Sequence, residues 1–216
     1  MKVKNNWSDI TISEYQEIVN VEGESELQKV VNIISILSDT DIDQIRRAPL
    51  HQFYEWSDAI KFIQTPPNAD FNRTFFIDSV EYGFIPDLNY VSTGEWLDCE
   101  NWKNDPINNM HLFAALLFRP ITNRTESDYE IEEHQTKGFI DRAALFSHRL
   151  SVSKVYGAQI FFLIFAVEFM EISAAYLTEL QNPQVKKKKT TKTKTTRPAT
   201  KKRKKNSSNE LGAGTI

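Results

Sequence analysis

Apolar positions recur at helical spacing through the first third of the chain. In TISEYQEIVNV, Ile12, Tyr15, Ile18 and Val19 share a face, and Thr11 with Glu14 three residues on forms a capping-box pattern. In SELQKVVNIISILSD, Leu27, Val30, Val31, Ile34 and Leu37 line a second apolar face, with Ser25 as N-cap. DTDIDQIRR predicts a third, short helix. APLHQFYEWSDAIKFIQT predicts a fourth: Pro49 stands near its start, where a missing N–H costs little. Leu50, Phe53, Tyr54, Ala59, Ile60 and Ile63 continue it, and Pro66-Pro67 stops it. Residues 11–64 thus read as a bundle of three or four helices.

The pattern changes in RTFFIDSVEYGFIPDL, where β-branched and aromatic residues predict a small hairpin within 73–86, turning near Asp78-Ser79. Helical patterns resume over 92–180. STGEWLDCENW begins with Ser92 or Thr93 as cap, and INNMHLFAALLF follows as a strongly apolar helix. DYEIEEH reads as an extended segment or short edge strand. GFIDRAALFSHRL and a long final helix complete the set. In HLFAALLFRPI, Pro120 disfavours helical dihedrals at Arg119, so the helix is expected to end there. A guanidinium in a last turn suits the helix dipole, and Arg119 is expected to reach Glu95, Asp98 or Glu130 as a structural pin.

The final helix is apolar nearly all round from Val155 to Ala175. Spanning a membrane takes about 20 apolar residues. Gln159, Glu168 and Glu171 interrupt this run, and carboxylates are costly in lipid. The segment is therefore read as a central core helix, or one that packs on a partner chain, and not as a membrane span. Phe161, Phe162, Phe165, Phe169 and Met170 are its large, adaptable side chains. They are the candidates for contact with a partner; the competing reading buries all five in the core.

At 216 residues and 40% hydrophobic, the chain has material for one core. The expected architecture is a mainly α domain over 1–182 carrying the small hairpin, followed by a tail over 183–216. The net charge of −3 hides a sharp division. Residues 186–216 carry 12 Lys/Arg and one acid, a net of +11, whereas the remainder holds 14 basic and 28 acidic residues, a net of −14. The tail has no apolar periodicity and is expected to be disordered. Its cationic runs are Lys186, Lys187, Lys188 and Lys189, then Lys201, Lys202, Arg203, Lys204 and Lys205. They suit salt-sensitive binding to nucleic acid, an acidic partner or the chain's own acidic domain, or simple solubilisation. No aromatic interleaves them to stack on bases.

Catalytic chemistry is not apparent. His51, His111, His134 and His148 are scattered and lack metal-ligand spacing with one another or with Cys99. Seven glycines form no phosphate-cradling loop. Asp98 and Glu100 flank Cys99 and disfavour its thiolate. The acid pairs Glu132/Glu133 and Asp128/Glu130 read as solvated surface. The expectation is a non-enzyme with no cofactor and no metal. A single cysteine permits no internal disulfide, and residues 1–9 lack an apolar signal core, so a reducing cytoplasm is the expected setting.

The order of short motifs resembles a group of small tailed-bacteriophage proteins, the tail assembly chaperones and related baseplate-hub assembly factors. Gly94, Glu95, Trp96, Leu97 and Asp98 open the series, followed by Leu117, Phe118, Arg119 and Pro120. Tyr129, Glu130, Ile131 and Glu132 come next, then Arg142, Ala143 and Phe146 before the long apolar helix. The lead NWSDITISEYQEI is also similar to the opening of such proteins. The resemblance spans roughly 1–180 and excludes the basic tail. It implies a non-enzymatic factor in the host cytoplasm that holds an aggregation-prone, tape-measure-like tail protein during virion morphogenesis. The competing expectation is a virion structural or internal protein whose tail contacts nucleic acid or an acidic partner.

Overall fold

The computed structural model describes residues 1–134 and 136–181. The basic tail, with the cationic runs at 186–189 and 201–205, lies outside the described residues. The protein is mainly α, with eight α-helices and one four-stranded antiparallel sheet among the described residues.

Four helices build the N-terminal part: α1 (Ile12–Val19), α2 (Glu26–Ser38), α3 (Ile42–Arg47) and α4 (Leu50–Ala59), which runs into a 3-10 turn at Ile60–Gln64. Their starts follow the sequence signals. The Thr11 hydroxyl accepts from the Glu14 N–H while the Glu14 carboxylate accepts from the Thr11 N–H, completing the capping box. Ser25 caps α2 and Asp41 caps α3. The buried faces are narrower than the apolar spacing predicts. Val31, Ile34 and Leu37 are buried on α2, but Leu27, in its first turn, is exposed. On α4 only Trp56 is buried, and Leu50 and Tyr54 face solvent.

The hairpin forms as expected, from β1 (Thr74–Ile77) and β2 (Val80–Phe84), with Asp78 at φ 52° in its two-residue turn. It is half of a larger sheet. β3 (Phe118–Arg124) pairs with β2, and β4 (Tyr129–Ile131) forms the far edge. The apolar helix preceding them, α6 (Met110–Leu117), therefore ends two residues before Arg119. Pro120 drives the residue before it toward extended dihedrals, and Phe118 is already extended at φ −116°, ψ 125°. Phe118 then packs into the core against Phe75 and Phe84. Proline is unusual in a central strand. Here Pro120 stays in register with Tyr82 and accepts from the Glu132 N–H, while the Arg119 side chain donates to the Glu132 carbonyl; the register shift with β4 follows, between Ile121 and Asn123.

The core centres on α6. Met110 and Phe113 to Leu117 are all buried, enclosed by α5 (Thr93–Trp102), the sheet and α7 (Thr136–Arg149). This corrects the expectation that the last helix, α8 (Val152–Gln181), is the central one. Only its opening turns enter the core, through Val152, Val155, Ala158 and Phe162. They are anchored by backbone hydrogen bonds that tie the Ile10–Ile12 segment to Leu150 and Val152. Residues Met1–Glu168 form one compact unit; the described part of a second comprises Phe169 to Gln181 and is helical.

Candidate functional site

Two constellations contain most of the nominated residues that the structure describes. The first is a buried ionic cluster. Ser92 caps α5, and its hydroxyl and N–H engage Glu95 in a second capping box. That fixes Glu95 in the first turn, where it is 4% exposed. Its other carboxylate oxygen accepts a hydrogen bond from Nη2 of Arg119 on β3. Arg119 Nε also donates to the Leu116 carbonyl (3.3 Å), and Nη1 to the Glu132 carbonyl (3.4 Å). Arg142 on α7 donates from Nε to the Ala115 carbonyl (2.9 Å) and sets Nη1 3.7 Å from Glu132. Its Nη2 and the Nδ1 of His134 are buried without a hydrogen-bond partner.

Burial works against the Glu95 carboxylate, but the Ser92 hydrogen bonds and the Arg119 charge outweigh it and hold its pKa below the ordinary value. Burial lowers the pKa of His134, with Glu95 pulling the other way. The cluster joins α5, the end of α6, β3 and α7. Both arginines are buried, which suits a structural clamp. Arg119 thus pairs with Glu95, one of the three acids named from sequence. Asp98 makes no ion pair with it, and Glu130 is exposed on β4, 3.4 Å from the Asn123 amide. The expectation that either of these acids engages Arg119 is overturned by strand β3, which turns Arg119 inward toward α5.

Cys99 lies on the buried side of α5. Burial, then the charges of Asp98, Glu95 and Glu100, push its thiol up to about 12. We expect it to resist iodoacetamide in the native protein at pH 8 and to react fully once denatured. Stoichiometric native labelling, read by mass spectrometry, would contradict this placement. Among the described residues, no group of three or more His, Cys, Asp or Glu side chains is arranged to hold a metal.

The second constellation is the surface of α8. Phe162 is fully buried against Trp96 and Phe113 and is removed from the partner-binding candidates. The helix position that carries it faces the core, whereas Phe161 next to it faces out. Within the first unit Phe161, Ile164 and Val167 are exposed at 46%, 57% and 51%, and Phe165 is half-buried near Phe162. In the second unit Phe169 and Ile172 are exposed and Met170 is half-buried.

The chain matches no protein-family model, no curated protein and no solved structure.

Sequence reasoning missed the segment that borders this surface. Ala69 and Asp70 cross α8 at Gly157, where a Cβ would lie 2.4 Å from the Ala69 carbonyl oxygen and 2.5 Å from that of Asp70. The crossing carries Phe71 onto Phe161, with ring centroids 5.3 Å apart and 23° between planes. A lone glycine in an apolar helical run was the available signal.

Proposed function

We propose that this chain is a non-enzymatic assembly factor, most like the tail assembly chaperones of tailed bacteriophages. It works in the host cytoplasm without a cofactor and shields an aggregation-prone, tape-measure-like protein until the tail tube forms around it. The supporting observation is the exposed aromatic and aliphatic surface of α8. A contiguous apolar surface on an otherwise acidic protein is a mark of protein docking. An apolar helix face is suited to take a second helix, the mode by which long helical clients are held.

Insertion of α8 in a membrane is the rival use of the same residues. Val152–Ala175 is long and apolar enough to cross a bilayer by length and composition. One side of its opening turns, at Val152, Val155, Ala158 and Phe162, is spent in the protein core. From Leu163 to Ala175 a helix extends about 20 Å, short of the roughly 30 Å hydrocarbon layer.

In infected cells the protein is expected to co-purify with a long helical tail protein and to be missing from finished particles. Stoichiometric recovery from purified virions would overturn the chaperone reading. It would favour a structural or internal virion protein, whose 12 cationic tail residues then have DNA within reach.

A further inference from the structure

We propose that the occupant of the exposed α8 surface is a cationic amphipathic helix, with a lysine or arginine seated against Glu168. This rests on the docking role proposed above and specifies the partner's chemistry. At about 100° per residue, Phe161, Ile164, Val167 and Glu168 fall within an arc of ~120°, the width of a helix-docking face. Phe71, itself exposed and stacked on Phe161, extends that face sideways. By the same spacing the Glu168 carboxylate lies inside that arc, between the directions of Ile164 and Phe161 and about one turn along from Ile164.

Glu168 is exposed and has no ion pair with any described residue. A carboxylate covered by an apolar partner would lose hydration without compensation. A partner that covers Ile164 must therefore bring a cation to Glu168 or leave that charge stranded. The remaining sequence favours the same sign. Residues 1–185 carry a net charge of −14, which steers cationic partners toward the domain. Two other occupants fit less well. A second copy would bring another Glu168 and another acidic domain to the same face. The chain's own tail has the charge but, from Lys186 to Lys205, consists of Lys, Arg and Thr with one Pro and one Ala, and has no large apolar side chain to cover Phe161 or Ile164.

The test uses the full chain and two fluorescein-labelled 21-residue helical peptides. Both carry the same leucine stripe; one has lysine on its flanks and the other glutamate. Fluorescence anisotropy is expected to give at least ten-fold tighter binding of the lysine peptide. Ile164→Asp, at a 57% exposed position, is expected to weaken that binding at least ten-fold with an unchanged unfolding midpoint. Glu168→Gln is expected to reduce the lysine-over-glutamate preference at least three-fold. If Ile164→Asp leaves binding intact, the proposal and the α8 docking role both fall. If Ile164→Asp abolishes binding but Glu168→Gln leaves the preference unchanged, docking on α8 stands and the cationic partner is wrong. Self-association in sedimentation that Ile164→Asp removes would assign the face to a second copy and overturn the proposal. So would co-sedimentation with phosphatidylcholine–phosphatidylglycerol vesicles that the same substitution removes, which would assign the face to lipid.

Discussion

Replacing Arg119 by methionine is expected to cost about 3–5 kcal/mol of folding stability, the scale for stranding one member of a buried ion pair. The substitution keeps much of the apolar stem but removes the cation from Glu95, which is 4% exposed and held in place by the Ser92 cap. It also removes donors from the Leu116 and Glu132 carbonyls at the point where α6 gives way to β3. A Tm loss of about 10 °C or more by calorimetry is the expected readout. Arg124→Met is the control. Arg124 pairs with Glu81 at the surface, its side chain 52% exposed, and such pairs contribute at most about 1 kcal/mol. Equal losses in the two variants would show that burial of the Arg119–Glu95 pair adds nothing. The double variant Arg119→Met/Glu95→Gln is expected to recover part of the loss, because the stranded charge is gone, though not the lost hydrogen bonds.

The same pair sets a pH dependence. The folded pKa of Glu95 is depressed, so its stabilisation is fully present above the unfolded carboxylate range near ~4.3. It is lost as pH falls through the lower folded value. The histidines act in the same direction but at higher pH. Burial lowers His111 and His134, so below about 6.5 the unfolded chain takes up protons that the folded chain refuses. Stability is expected to decline in two stages on acidification, and urea midpoints from ~pH 7 down to ~pH 2 measure both. In Arg119→Met the lower stage should shrink, since the guanidinium no longer holds Glu95 below its ordinary value. An unchanged lower stage would assign the depression to the Ser92 cap alone.

Local signals carried most of the helical architecture. Thr11, Ser25 and Ser92 mark helix starts because a side-chain oxygen and a backbone N–H three residues on are all the cap requires. The hairpin was legible for a similar reason, since its strands adjoin and its turn takes two residues. What failed to show were the long-range choices. The addition of Phe118–Arg124 to the sheet depends on a partner strand more than 30 residues earlier. The sequence alone marks only where the helix must stop. The two apolar helices α6 and α8 look alike in composition, and only the surrounding elements decide that α6 is enclosed while α8 enters the core by its opening turns. Of the five side chains nominated on α8, Phe162 was misjudged for that reason: periodicity in an all-apolar helix does not distinguish the packed side from the open one. An acid partner for Arg119 was legible, but choosing Glu95 over Asp98 or Glu130 required knowing that β3 sets Arg119 against α5.

Gly157→Ala is expected to destabilise the protein by about 1–3 kcal/mol, although alanine is the better helix former by roughly 1 kcal/mol in an open site. The sign is decided by contact. A Cβ at this position would meet the Ala69 and Asp70 carbonyl oxygens at 2.4 and 2.5 Å, and these are backbone atoms that cannot swing aside as a side-chain tip can. Gly94→Ala on α5 is the matched control, since the nearest atom to its added Cβ is the Ser92 hydroxyl at 4.0 Å, and it should be neutral or slightly stabilising. If both substitutions stabilise, the close crossing at Gly157 does not exist in solution. The consequence reaches the docking face as well. Relief of the clash requires the 69–70 backbone to lift from α8, which draws Phe71 away from Phe161. Gly157→Ala should therefore weaken binding of the lysine-flanked helix more than its cost in stability explains at temperatures where the variant is fully folded. A variant that is destabilised but binds normally would restrict the proposed site to Phe161, Ile164, Val167 and Glu168 and exclude Phe71 from it.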